Sequence, residues 1–247
     1  MIKALILIMM LIFVNSIPAG TIDPFNEDSK YIEHSEKFIH TYKICGTYKD
    51  NSLFCASATA INNHWFLTAA HIVKNSRTCL IHKNDKAYEV KKIIIHEDFS
   101  DENFGKADIA LCYVEENIGL DSYPELYDSD DEIGKTCSIS GYGMTGTFDT
   151  GAKVNDMKHR AGTNKIDSIT SNLLLCSSSK PTDQDRTSLE FLIGSGDSGG
   201  GLYINDKLAG VNSCVLAADK KPDSSYGDES GHTRISKFVG WIKEVIR

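Results

Sequence analysis

Short runs rich in β-branched and aromatic residues, parted by Gly, Asn, Asp and Ser, recur along most of this chain. They include LFCASATAI from Leu53, HWFLTAA from His64, YEVKKIIIH from Tyr88, DIALCYV from Asp108, NLLLC from Asn172 and KLAGVNSC from Lys207. Each is long enough for a strand and too short for an ordinary helix, and the spacing is that of an all-β sandwich or barrel. Between GLYI and KLAGV stand Asn205 and Asp206, the chemistry of a two-residue hairpin turn. Helical periodicity is nearly absent until TRISKFVGWIKEVIR, where Ile235, Phe238, Val239, Ile242 and Ile246 share one face. An amphipathic helix over about 234–246 is therefore expected to close the chain. The polar stretch Glu115–Gly134, with Pro124 inside it, divides the strands into two sets of similar size. Two small barrels, over about 31–120 and about 135–233, would use the 247 residues well.

The opening MIKALILIMMLIFVNS carries one lysine and then an apolar run from Ala4 to Val14. That run is too short to cross a bilayer and reads as a secretory signal peptide, residues 1–16. Val14 and Ser16 suit cleavage after Ser16, with Ala19 and Gly20 as later candidates. Residues 17–30 are then an N-terminal segment or a propeptide. The expected product is secreted and extracellular, has no membrane anchor after signal removal, and matures where disulfides form. A net charge of −8 and a pI near 5.5 exclude nucleic acid as a partner. The run DSDDE at 128–132 reads as a solvated loop, since it lacks the glycine and spaced oxygens of a calcium loop. The 7 cysteines are an odd number, so at least one stays free or bonds another chain. They show no metal-ligand spacing, and neither metal nor cofactor is expected.

SGDSGGGLYIN, from Ser195, places a serine among glycines at the mouth of a strand. Such a serine is either a flexible turn or a nucleophile, and a nucleophile needs a base and an orienting acid elsewhere in the chain. His71 ends HWFLTAAH, and Asp108 opens the apolar DIALCYV. An aspartate entering a buried strand needs a hydrogen-bonded partner. The imidazole of His71 would be one.

With these residues in place the chain resembles the trypsin/chymotrypsin-like serine proteases. TAAH, DIAL and GDSGG stand in that family's order, and IIIHEDF, CSISGYG and RISKFVGWIKEVI resemble its supporting segments. The likeness runs from about Tyr31 to the end. It implies two antiparallel six-stranded β-barrels with a C-terminal α-helix, and a serine endopeptidase working through an acyl-enzyme. Ser198 would attack the scissile carbonyl, His71 would act as base and then acid, and Asp108 would hold the imidazole. The N–H groups of Gly196 and Ser198 would form the oxyanion hole. Asp197 would be structural, its buried carboxylate needing a cation, and Ser213 would bind substrate backbone. Polypeptide substrates and protein inhibitors are the implied partners of a monomer.

Several positions depart from the family pattern. No Ile-Val-Gly-Gly string exists to supply an activating amine; the corresponding position falls on Tyr31, after Lys30, with Glu33 and His34 where glycines are expected. The alternative is an enzyme active once its signal is removed, with Asp197 paired to a basic side chain such as Arg160. The usual partner of Cys55 is replaced by Ile72 and that of Cys137 by Ile204, and Gly194 stands where a half-cystine is expected. Disulfides here must use other connections. Leu192 takes the pocket-floor position and Val215 a wall position, which implies cleavage after small or apolar residues. Two rival readings remain: an inactive homologue acting as a secreted binding protein, and an α/β-hydrolase using GDSGG as its elbow, for which only His232 follows the serine.

Overall fold

The computed structural model describes residues 20–180 and 182–247; the expected signal peptide, 1–16, lies outside the described residues. The first half forms a closed antiparallel barrel. Its strands run, in order around the barrel, Thr41–Tyr48, Leu53–Ala60, Trp65–Thr68, Ala110–Val114, Lys86–Ile95 and Ser76–Lys83. Alternation puts Tyr42, Ile44, Phe66, Ile81 and Val114 inside with the small Ala56, Ala58 and Ala60. The alanines leave room for the rings, and Tyr42 meets Phe66 edge-on at 5.0 Å between centroids.

In the second half the described strands form two sheets, and no second closed barrel is seen among the described residues. A seven-stranded sheet runs Arg160–Lys165, Thr136–Gly141, Gly201–Ile204, Lys207–Ala217, Asp228–Arg234, Leu173–Ser177 and Ser168–Thr170. A separate four-stranded sheet runs Gly151–Val154, Thr145–Thr147, Thr21–Ile22 and Phe191–Leu192. Phe191 and Leu192 pair with Ile22 and Thr21, and this sheet meets Arg160–Lys165 through an isolated bridge, Thr163 to Glu190, and the bond from Asn164 Nδ2 to the Phe191 carbonyl at 3.0 Å. The hairpin expected at Asn205 and Asp206 is present, both residues at positive φ (47° and 63°).

The closing segment is a 3-10 turn, Ile235–Lys237, followed by the α-helix Val239–Val245. Ile235, Phe238 and Ile242 bury themselves with Leu67 and Leu111 of the barrel and Leu208 and Val211 of the large sheet. The helix thus seals the seam between the halves.

The N-terminal segment is also different from the pattern read in sequence. Thr21–Ile22 is a strand, and Asp28–Ser35 is a helix whose Tyr31 is fully buried. Lys30 lies inside this helix, and the Tyr31 hydroxyl donates to the Glu190 carbonyl at 3.1 Å. Its short apolar contribution, with Tyr31 and Ser35 as the buried residues, gave too weak a period to be read as a helix.

DSDDE is not wholly a solvated loop. Glu132 is fully buried and takes Arg234 Nε and Nη2 on its two carboxylate oxygens, at 2.7 Å each. Asp130 also reaches Arg234 and Lys237, and Asp131 reaches Lys135.

Candidate active site

The strand Trp65–Thr68 ends in the short helix Ala70–Val73, which carries His71. Asp108 caps another short helix, Phe104–Ala107, just before Ala110–Val114. These two strands are paired, Thr68 opposite Ala110, so the barrel itself brings histidine and aspartate together. Ser198 comes from the other half, in the turn before Gly201–Ile204.

Asp108 is fully buried and held from several sides. His71 Nδ1 lies 2.7 Å from its Oδ2, and the His71 backbone N–H donates to Oδ1 at 2.9 Å. The Ser213 hydroxyl donates to Oδ2 at 2.6 Å. With Nδ1 committed to the carboxylate, Nε2 is the ring nitrogen left for base chemistry. Ser198 is 9% exposed, and its Oγ lies 3.3 Å from the Ser213 carbonyl.

The turn at Ser198 is set by its carbonyls. Met144 N–H donates to Ser195 O at 3.0 Å, and Asn212 Nδ2 and Gly200 N–H donate to Asp197 O at 3.1 and 2.9 Å. In a trans peptide the N–H points opposite to the C=O, so the N–H bonds of Gly196 and Ser198 turn away from these partners. Gly196 has φ +92°, and a Cβ there would press on Gly143, which explains glycine at this position.

Asp197 is buried, and its carboxylate accepts Gly143 N–H at 2.7 Å and Gly194 N–H at 2.9 Å. Burial pushes its pKa up to about 7, against the pull of those two N–H groups and the charge of Arg160. The expected ion pair with Arg160 is not formed: its guanidinium is committed to Asp28 and Asp156. Tyr31 is likewise bonded elsewhere. The backbone beside Asp197 is that of Gly20, where a Cβ would collide with Oδ2.

The positions read as a substrate pocket are only partly brought together. Leu192 is fully buried in its strand, and the Ser213 side chain is occupied by Asp108. Val215 lines an open groove with Leu216, Ala217, Lys220 and Glu229. On the side of His71 a second, polar groove is lined by Tyr48, Lys49, Asp50, Lys74 and Asn75. Ser230, missed in sequence, lies cross-strand from Val215 and is fully buried.

A family model described as Trypsin matches residues 32–242. This chain belongs to the trypsin family. Among curated relatives of this trypsin-family chain, chymotrypsin-like elastase family member 1 of Felis catus is 28% identical, over 76% of this chain and 77% of that protein. Serine protease SP24D of Anopheles gambiae is 26% identical, covering 81% and 74%. Mast cell protease 8 of Mus musculus is 29% identical, covering 67% and 65%. In solved structures the same fold appears in HL collagenase, with TM-score 0.67 and 18% identity over 85% of this chain and 94% of that one. Neuropsin of mouse brain matches with TM-score 0.66 and 21% identity, covering 86% and 96%. With the His71–Asp108–Ser198 network intact, this trypsin-family chain is a serine endopeptidase.

The trypsin-family fold also disposes of the α/β-hydrolase reading. His232 is fully buried against Asn212 Oδ1, 2.9 Å away. The expected disulfide chemistry holds with a connection not read in sequence: Cys55 pairs with Cys45, directly opposite on the neighbouring strand. Cys137 lies beside Cys176, with Sγ atoms 3.8 Å apart. Among the described residues no helix is long and apolar enough to cross a membrane, and no group of His, Cys, Asp or Glu is arranged to hold a metal.

Proposed function

We propose that this protein is a secreted endopeptidase that cuts polypeptides after small or apolar residues. Val215 carries the reading: two residues past Ser213, whose hydroxyl holds Asp108, it forms a branched apolar wall of an open groove with Leu216 and Ala217. A β-branched side chain there narrows the space for a long substrate side chain, and the groove's two charges, Lys220 and Glu229, are of opposite sign and favour neither a basic nor an acidic one. The elastase named among the relatives agrees with this preference.

In the reaction, Ser198 Oγ attacks the scissile carbonyl as His71 Nε2 takes its proton. Asp108 holds Nδ1 and stabilises the imidazolium. The negative oxygen of the tetrahedral intermediate accepts from the N–H groups of Gly196 and Ser198. His71 then protonates the leaving amine, and water repeats the sequence to free the acid and Ser198. The second β-rich half stands for the family's second barrel, with polypeptide chains running through the cleft and protein inhibitors as competitors.

Maturation follows export in this reading. Of the signal-cleavage positions, the one after Ala19 leaves Gly20 as the first residue, beside the Asp197 carboxylate. Its α-amine supplies the cation that the buried carboxylate calls for. Cleavage after Lys30 would instead cut the helix Asp28–Ser35 and remove the strand Thr21–Ile22.

The test digests a diverse peptide library with the secreted protein and with Ser198→Ala, and sequences the amino terminus of each. Cuts made only by the wild type, after small or apolar residues, support the reading. Cuts after Lys or Arg overturn the specificity, and binding without cutting restores the inactive homologue.

A further inference from the structure

Ser57 sits on the barrel strand Leu53–Ala60, is fully buried, and is used by neither the triad nor the pocket. A buried hydroxyl is kept where its donor and acceptor are both satisfied. Here both partners belong to the opposite half of the molecule. Ser57 Oγ–H donates to the Gly196 carbonyl at 2.8 Å, and Tyr142 N–H donates to Ser57 Oγ at 2.9 Å. Its own backbone N–H donates to the Ser198 carbonyl at 2.9 Å.

The consequence is local and directional. Gly196 at φ +92° has no side chain to hold its backbone. The peptide plane before it is fixed by Met144 N–H on Ser195 O, and the plane after it by Ser57 Oγ on Gly196 O. Fixing both planes fixes both dihedrals of Gly196, and so the direction of its N–H. We infer that Ser57 is a positioning residue for the oxyanion hole, its hydroxyl locking the Gly196 backbone from across the cleft. This rests on Gly196 N–H being an oxyanion donor, as proposed above.

Ser57 touches no substrate, so its loss acts through the geometry of a donor. Losing an oxyanion donor outright costs about 100- to 1,000-fold in kcat; a donor left in place but loosened should cost roughly 10-fold. The experiment compares wild type, Ser57→Ala and Ser57→Thr, the last retaining the hydroxyl, with Ser57→Cys as a further variant of near-native volume. Each is checked for native circular dichroism, then assayed for kcat, KM, pH dependence and inhibition by a peptide aldehyde, whose adduct places an oxyanion in the hole.

For Ser57→Ala the expected result is a kcat lowered roughly 10-fold, KM within twofold, weaker aldehyde binding by the same factor as kcat, and an unmoved acid limb. Ser57→Thr should recover kcat. If Ser57→Ala does not fold, Ser57→Cys carries the same expectation, because a thiol is a weak donor. Unchanged kcat and aldehyde affinity, or a loss confined to KM, would overturn the role. A wild type that cleaves no peptide would instead overturn the proposed function, so the two failures are told apart.

Discussion

The Ser213 hydroxyl and the imidazole of His71 share one oxygen, Asp108 Oδ2, at 2.6 and 2.7 Å. A carboxylate oxygen with two donors is fixed in direction as well as in charge. Ser213→Ala removes one of them and leaves Asp108 freer to turn. Hydrogen bonds to charged groups are worth about 1.5–3 kcal/mol, so kcat/KM on a peptide ester should fall roughly 10-fold or more. An unchanged value would mean that His71 alone suffices to hold Asp108.

Ser198→Ala should reduce turnover by on the order of 10,000-fold while the thermal unfolding midpoint stays close to that of the wild type.

Acid should weaken the fold through His232. Burial pushes its pKa down to about 3, and its Nε2 has no partner while Nδ1 faces Asn212. An unfolded imidazole takes a proton near pH 6.5 that the folded one refuses, so stability is lost as pH falls from about 6.5 towards 3, by about 1.4 kcal/mol per unit. In the chain before an amine is freed beside it, Asp197, with its pKa raised to about 7, works the other way: the folded chain holds that proton more tightly, and stability is lost as pH rises from about 4 to 7. Urea midpoints of wild type and His232→Gln separate the two. The variant should lose about half of the acid-side decline, because burial pushes His159 down to about 3 as well and supplies the rest, and a parallel pair of curves would count against His232 as a source.

Cys137 and Cys176, buried and with sulfurs 3.8 Å apart, should close into a second disulfide on oxidation by glutathione disulfide. Two thiol protons and two electrons pass to the oxidant, releasing two molecules of glutathione. Peptide mapping after alkylation without reduction should recover the linked peptides. Alkylation of both cysteines in the purified protein after that oxidation would exclude the bond.

Val215→Gly should open the groove that Val215 lines and raise kcat/KM for substrates with larger apolar side chains, relative to alanine, by roughly 10-fold. A library profile identical to that of the wild type would show that Val215 does not line the pocket.

The triad was readable because His71, Asp108 and Ser198 each sit in a short contiguous string, TAAH, DIAL and GDSGG, that resembles the family's and stands in its order. The hairpin at Asn205 and the apolar face ending at Ile242 were readable because both are local patterns. What sequence did not disclose depends on partners far along the chain. Tyr31 is buried against Glu190, Glu132 against Arg234, and Ser57 against Gly196, and no local period reports such pairings. The strand Thr21–Ile22 takes its place from Phe191 and Leu192, which also explains why the second half does not close as the first does.

Glu132 and Arg234 tie the connection between the halves to the segment that precedes the closing helix, and both are buried. That removes the slack a hinge would require. His71 and Asp108 ride on one body and Ser198 on the other, so bending at this joint would pull the nucleophile from its base. The enzyme is therefore built to meet its substrate rigidly, with the chain to be cut doing the adapting.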